Sequence, residues 1–399
     1  MKMTTNSDII IVGQYLTSRT EAVRDFLLGK VNTIAVIAIG SAFIDKKENH
    51  LFFYKKKTLC RHYIYRHRFL NKIKSLQLLI IFTFFSYIID IFRSILFLRK
   101  KFDIFIGISH FQGLIGIIFK AMNLCKKTIY YSIDYYYTPA EKISFLHSIT
   151  IKLENFIDRL AVLNSDEVWD ISDRISQGRS EFSNLRKEKY NFKNHIVPLG
   201  YSHEFFRNRE LAENERHSLI FAGVVAEGQG LELMLDIAPE LRKDFPTLKI
   251  KVIGSGPFLP IFKQRSEECN MNDIFTFYGF IEDVGRMLDI IASCAVGVSL
   301  WDEETNGLNF YFGDPGKTKL YSVCSLPVIV SNKTVYARVV TDNHCGIAIH
   351  YKRQELMDAI RTLFSDEKKY NEYKSNAIKT ALDYCSSEKI FSHVLQVQQ

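Results

Sequence analysis

The sequence predicts an α/β protein built from two doubly wound, parallel-sheet domains. Three observations carry this. Short apolar runs rich in Ile, Val and Phe recur along the chain and end in Gly or a polar turn. Helix-length segments separate most of them, and one polar stretch near the middle divides two such series. Continuous apolar runs suit strands buried on both faces, and strands alternating with helices suit a parallel sheet. At about 150 residues per domain, a chain of 399 residues accommodates two or three domains.

The first series opens with a strand at Asp8–Val12, an apolar run ending at Gly13. Further strands are predicted at 33–40, 102–109, 127–134, 167–172 and 195–200, with helices at 76–98, 112–122 and 143–164. Residues 203–216 are polar and charged with no apolar period, which reads as an interdomain linker. The second series is more regular. Strands at 218–223, 248–254, 274–279, 295–300, 327–331 and 346–350 alternate with helices at 231–245, 260–270, 284–293, 317–325 and 336–341. Helices at 354–364 and 367–384 follow. Both series are therefore Rossmann-like.

Composition excludes several classes. The chain is 47% hydrophobic and 24% charged, so it is not disordered, and 8 Pro with 20 Gly exclude collagen-like architecture. The seven cysteines are scattered singly, with no C-x-x-C and no Cys/His cluster, so neither a zinc site nor a disulfide framework is expected. A reducing cytoplasm fits that usage. The net charge is +8, and its location is informative. Residues 46–101 hold fourteen Lys/Arg against Glu48 and Asp90, a net of +12, so the rest of the chain sums to −4. Within that segment, residues 75–89 are uncharged, too short a run for a membrane span of about 20 residues. Two readings lead, a buried helix of the α/β domain, or a helix and basic loop resting on an anionic membrane surface, with a true span as the third. No nucleic-acid motif accompanies the basic segment, and nucleic acid is not an expected partner.

In open α/β sheets, ligands lie beyond the carboxyl ends of the strands, so the loops there are the places to look. The loop Gly223–Gly230 contains Gly223, Gly228 and Gly230 and precedes a helix, whose N-terminus attracts phosphate. It is not a G-x-G-x-x-G fingerprint, and a plain strand-helix turn is the alternative. Gly254-Ser255-Gly256-Pro257 and Gly279-Phe280 end the next two strands. The densest loop runs from Trp301 to Pro327. There Asp314-Pro315 gives a helix start, and Lys317 and Lys319 fall in the first helical turn. Cations there oppose the helix dipole, and a bound phosphate would relieve that conflict; a solvent-facing Lys pair is the alternative.

This half resembles the C-terminal, nucleotide-sugar-binding domain of GT-B glycosyltransferases, most closely glycosyltransferase family 4. The residues carrying the resemblance are Gly230-Leu231-Glu232-Leu233-Met234-Leu235, Ile253-Gly254-Ser255-Gly256-Pro257, Phe277-Tyr278-Gly279-Phe280, Pro315-Gly316-Lys317, Cys324-Ser325-Leu326-Pro327-Val328 and Asp342-Asn343-His344-Cys345-Gly346. They span about residues 218–365. Departures are specific. The family's diphosphate-gripping Arg and Lys are Val224 and Gln229 here, and its paired glutamates are Phe312 and Leu320. Retaining and inverting outcomes are both left open.

The resemblance implies two Rossmann-like domains facing a cleft: an acceptor domain (1–202), a linker (203–216), a donor domain (217–366) and C-terminal helices (367–399) partly returning to the first domain. It implies transfer of a sugar from a nucleotide-sugar co-substrate to a glycan or lipid-linked acceptor in cell-surface polysaccharide assembly, with no resident cofactor; no metal is expected, since the sequence shows no acidic or His cluster to hold one. The expected setting is the cytoplasmic face of the cell membrane, through residues 46–101. Expected donor-binding residues are the six loop glycines together with Glu303, Glu304, Asp314, Lys317 and Lys319. Lys317 would neutralise the departing phosphate. Asp134, at a strand's carboxyl end, is the candidate base, with a helix-capping role as the alternative. Gly13 and His110 are candidate acceptor contacts. A nucleotide-sugar epimerase and a non-catalytic nucleotide-binding scaffold are the alternative functions.

Overall fold

The computed structural model describes residues 2–14, 18–40, 48–66, 76–135, 145–307 and 309–398. It divides into two compact units, Met1–Gly200 with Ser387–Gln399, and Tyr201–Ser386.

The first unit begins with β1 (Lys2–Thr4), β2 (Asp8–Gln14), α1 (Ser18–Leu27) and β3 (Thr33–Ile39). It continues through β4 (Asn49–Lys55), β5 (Thr58–Tyr65), α2 (Leu76–Leu98), β6 (Phe102–Ile108) and α3 (His110–Ala121). Then come β7 (Cys125–Ser132), α4 (Phe145–Asn164), β8 (Glu167–Asp170), α5 (Arg174–Phe182) and β9 (Asn194–Ile196). The eight-stranded sheet has the order β5-β4-β3-β2-β6-β7-β8-β9. Ile9–Val12 and Ile34–Ile39 are buried throughout, as expected where β-branched runs are covered on both faces. A buried charge cluster sits under β8: the Arg179 guanidinium makes paired hydrogen bonds to Asp158 (2.8 and 3.0 Å) and to Asp170 (2.8 and 2.9 Å).

The sequence did not reveal β4 and β5. In the sequence this segment reads as a basic loop, yet it forms an antiparallel hairpin that extends the sheet beyond β3. Only β4 packs an apolar side chain fully, Leu51, while β5 is exposed along nearly its whole length. An edge strand exposed on both faces has no reason to alternate apolar with polar, so its period-2 signal is missing.

The second unit contains β10 (Ser218–Ala222), α6 (Leu231–Asp244), β11 (Lys249–Ile253), α7 (Leu259–Glu268), β12 (Phe275–Gly279) and α8 (Val284–Ala292). It goes on with β13 (Val296–Ser299), α9 (Glu303–Asn306), α10 (Asn309–Phe312), α11 (Gly316–Val323) and β14 (Val328–Ser331). It ends with α12 (Ala337–Asp342), β15 (Gly346–Ile349), α13 (Arg353–Ser365) and α14 (Glu367–Tyr384). All its sheet neighbours are parallel, in the order β12-β11-β10-β13-β14-β15. That order reverses between β10 and β13, which makes the carboxyl ends of these strands the topological switch point.

Residues 203–216, read as a linker, are bound along the second unit. The Arg207 N–H donates to the Val323 carbonyl (2.8 Å), Ser325 Oγ donates to the Arg207 carbonyl (2.6 Å), and Lys374 Nζ donates to the Arg209 carbonyl (2.5 Å). Of the C-terminal segment 367–399, α14 stays with the second unit. The return to the first is made by α15 (Ser387–Val394) and β16 (Gln396–Gln398), which pairs with β1. Phe391 of α15 packs on Phe26 and Trp169.

Candidate functional site

At the switch point of the second unit, three glycine loops lock onto one another. The Gly223 N–H donates to the Ile253 carbonyl (2.9 Å), Val225 N–H to Ser255 (3.0 Å), and Gly254 N–H to Gly279 (2.8 Å). Gly254 has φ 129°, and a Cβ there would lie 1.8 Å from the Gly223 carbonyl oxygen. A Cβ at Gly256 would lie 2.2 Å from the Val225 carbonyl oxygen. These glycines thus allow the loops to pack backbone against backbone. Gly228 and Gly230 hold the turn into α6. Gly228 donates its N–H to the Glu232 carboxylate, while its carbonyl accepts from Asp302 N–H and Asn306 Nδ2, both at 2.8 Å.

Lys317 reaches this assembly from the first turn of α11. Its Nζ donates to Gln229 Oε1 at 3.2 Å and lies over the rings of Trp301 (4.1 Å) and Phe221 (4.8 Å). A Cβ added at Gly223 would meet only the Lys317 stem, at 3.9 Å. Burial pushes the Lys317 pKa down to about 7, opposed by the negative charge of Glu232. Gln229 in turn donates through Nε2 to Asn306 Oδ1 at 2.9 Å. The residue standing where the family has a lysine therefore orients a different lysine. Val224, standing for the family's arginine, is 64% exposed and supplies no charge.

The other expected donor residues part company. Lys319 is buried and donates to Asp314 Oδ2 at 2.5 Å, and both side chains are almost fully enclosed. Neither is open to a ligand; they form an internal ion pair at the start of α11. Lys317 and Lys319 are two residues apart on a helix, and so point to opposite sides. Glu303 is exposed and ion-paired with Lys333, and Glu304 is exposed on α9. Asp302 caps that helix, accepting from the N–H groups of Glu304 (3.4 Å) and Thr305 (3.2 Å). Trp301, Phe221, Gln229 and Asn306 were not predicted as contacts. Trp301, Gln229 and Asn306 lie in or beside loops after strands, which was their sequence signal, together with the family's lysine position for Gln229; Phe221 lies within β10 and gave none.

In the first unit, His110 and Asp134 follow the adjacent strands β6 and β7. His110 starts α3 and is buried. Its Nδ1 lies 3.3 Å from Ser109 Oγ, and its Nε2 has no hydrogen-bond partner. Burial pushes its pKa down to about 4, against the pull of Asp158, so the ring is neutral at pH 7. Ser109 before it has φ 88°, a conformation unusual for a residue with a Cβ. Its N–H donates to the Tyr131 carbonyl (2.9 Å), and its carbonyl accepts from Gly113 N–H (2.9 Å). These bonds hold the strained turn. Burial pushes the Asp134 carboxyl up, with Arg19 pulling it back. Residues 136–144 lie outside the described residues, so the helix-cap alternative for Asp134 lies there too. Gly13 is not open to an acceptor: a Cβ there would lie 2.4 Å from Thr20 Oγ1, so Thr20 already fills the space.

Among the described residues, no group of three or more His, Cys, Asp or Glu side chains is arranged to hold a metal ion. No described helix is long and apolar enough to cross a membrane.

Comparison with known proteins bears on the fold. Residues 216–366 match the family model for glycosyl transferases group 1. A curated chitobiosyldiphosphodolichol beta-mannosyltransferase from Yarrowia lipolytica is 24% identical over 196 residues, which cover 46% of this chain and 40% of the relative. The matched region thus spans well under half the length of that relative. Among solved structures, sucrose-phosphate synthase from Thermosynechococcus elongatus superposes with a TM-score of 0.67 at 12% identity, covering 98% of this chain and 97% of that one. Anabaena HepE, solved with UDP and glucose, gives 0.64 at 12% identity over 98% of both chains. A glycosyltransferase from Rickettsia africae gives 0.64 at 11% identity, covering 98% of this chain and 97% of that one. The chain has the GT-B fold, with two Rossmann-like domains.

Proposed function

We propose that this protein is a glycosyltransferase that moves a sugar from a nucleotide-sugar donor to a glycan or lipid-linked acceptor. The observation that carries the reading is the Lys317 ammonium, held over the Gly223 loop at the start of α11 by Gln229, Trp301 and Phe221. Breaking the bond between the sugar and the donor phosphate leaves an oxygen with new negative charge. A cation and helix N–H groups placed beside it stabilise the transition state. In this reading Lys317 does that work in place of a metal ion, no resident cofactor takes part, and the interlocked glycine loops carry the nucleotide.

The acceptor belongs to the first unit. The neutral ring of His110 offers an unpartnered Nε2, and Asp134 supplies the carboxylate that takes the acceptor hydroxyl's proton. Two similarities guide the choice of substrates. HepE was solved with UDP and glucose, and the Yarrowia relative is named for a diphosphodolichol-linked acceptor. A hexose on a nucleoside diphosphate, passed to a lipid-diphosphate-linked glycan during cell-surface polysaccharide assembly, fits both. The basic segment 46–101 would then hold the protein at the cytoplasmic face of an anionic membrane.

The test is product formation. The full chain is incubated with UDP- and GDP-linked hexoses and a lipid-diphosphate-linked acceptor, and products are read by mass spectrometry. Lys317→Ala should lower turnover by about 100-fold to 1000-fold while the thermal melt stays cooperative. Absence of transfer from every donor, with no nucleotide raising the melting temperature, would reject the function. Unchanged turnover in the variant would remove Lys317 from it.

A further inference from the structure

The charge count directs attention to residues 46–101, but the structure shows a larger surface that charge alone does not reveal. Helices α2, α3 and α4 lie side by side in one layer. Phe92 of α2 meets Phe119 of α3 (5.2 Å between ring centres), and a Cβ at Gly113 of α3 would touch Ala161 of α4 at 3.1 Å. Each helix buries one stripe against the sheet, through residues such as Ile91, Ile95, Phe119, Ala161 and Val162.

The outer stripes are apolar as well. On α2 the outward positions are Ile89, Arg93, Leu96 and Phe97, and Leu96 is 72% exposed. On α4 they are Ile149, Leu153, Phe156 and Leu163, the spacing of a single helix face, with Phe156 56% exposed. Ile118 and Met122, at the end of α3, are exposed between them. The β4–β5 hairpin continues this surface. Tyr63 stands edge-on to Phe97 (4.3 Å), Arg61 lies over the same ring (5.5 Å), and Lys55, Lys56 and Lys57 are exposed at the tip.

Carboxylates are kept out of this face. The described parts of the three helices contain three. Asp90 is buried and accepts from Asn49 Nδ2 (2.7 Å), Asp158 is buried against Arg179, and Glu154 is partly buried. Monomeric soluble proteins rarely leave an apolar surface of this extent open. A second copy meeting it face to face would set Arg61, Arg93 and the exposed hairpin lysines of one copy against the same cations of the other, with no exposed carboxylate on the described parts of the three helices to offset them. An anionic bilayer complements both the apolar stripes and the cations.

We infer that the outer face of α2, α3 and α4, with the β4–β5 hairpin, is an interfacial docking surface for an anionic lipid bilayer. The apolar stripes enter the headgroup boundary, and Arg93, Arg61 and the hairpin lysines meet lipid phosphates. The inference rests on the proposed lipid-linked acceptor for its purpose, but not for its test.

The test is flotation of the full chain with phosphatidylcholine vesicles, with or without phosphatidylglycerol. The chain should float with the anionic vesicles and only weakly with neutral ones. The double variant Leu96→Ser/Phe156→Ser should lower partitioning by about tenfold or more, given the apolar burial lost. Lys56→Glu/Lys57→Glu should weaken it by about fivefold or more per site. Both pairs are solvent-facing, so melting temperature should hold; Ile149→Ser/Leu153→Ser is a second apolar pair should the first misfold. No flotation of the parent chain, or equal flotation of all variants, overturns the inference. So does a dimer seen by light scattering without lipid that the apolar variant dissolves, since the face would then be a self-association surface. Flotation needs no donor, so binding without transfer would reject the enzymatic reading alone. Transfer to a soluble acceptor without flotation would reject the docking surface alone.

Discussion

Raising the pH from 7 to 9 should strip the proton from Lys317 well before it affects an ordinary lysine, and nucleotide binding should report it. With a pKa of about 7, Lys317 is ~0.9 neutral at pH 8 in the unliganded protein. A diphosphate seated beside its Nζ favours the charged form and pulls the pKa back up. Binding at pH 8 should therefore take up ~0.9 proton, and affinity should fall about tenfold, or ~1.4 kcal/mol, for each further pH unit. The terminal phosphate ionises near pH 6 and contributes little above pH 7.5. The assay is titration calorimetry with UDP at pH 8 in buffers of different ionisation enthalpy, repeated from pH 7 to pH 9.5. Lys317→Ala should bind more weakly and take up no proton. Zero uptake by the parent chain, with affinity flat across this range, would refute the placement of Lys317 at the phosphates. Stability of the unliganded chain should move the opposite way. The unfolded chain keeps this lysine protonated up to about pH 10.5, so Lys317 makes folding more favourable as pH rises from about 7 to 10.5.

Two further outcomes follow from buried groups. Lys319→Met removes the buried cation paired with the Asp314 carboxylate and should lower unfolding free energy by about 3–5 kcal/mol in urea, whereas Lys319→Met with Asp314→Leu should recover much of that loss; a single variant as stable as the parent would contradict the buried pair. His110 is held neutral by burial, with its pKa lowered from 6.5 to about 4. Its contribution to stability is present above pH 6.5 and lost as pH falls towards 4, about 3 kcal/mol in all; His110→Gln should flatten that acid limb in a pH series of thermal melts, and an unchanged limb would contradict the burial argument.

Much of the architecture was legible from the chain. The runs Ile9–Val12, Leu219–Ala222 and Val328–Val330 are buried strands because unbroken apolar runs of this length suit a sheet covered on both faces. The glycine loops were legible as well, since they end such strands. The β4–β5 hairpin was not, because an exposed edge has no apolar alternation to read. Gly13 also misled: a glycine at a strand end signals close approach, but not whether a ligand or Thr20 makes it.

Periodicity is a local property, so the sequence by itself determined the succession of strands and helices and the placement of candidate loops at strand ends. It also located the excess positive charge in residues 46–101. The tertiary structure alone decided what each charge does. Lys317 and Lys319 look alike in the chain, yet a helix turns about 200° between them. One therefore reaches Gln229 and the Gly223 loop, while the other closes on Asp314 inside the core. The partners of a buried charge come from distant parts of the chain, and only packing brings them within the few ångströms where a low dielectric makes their interaction strong.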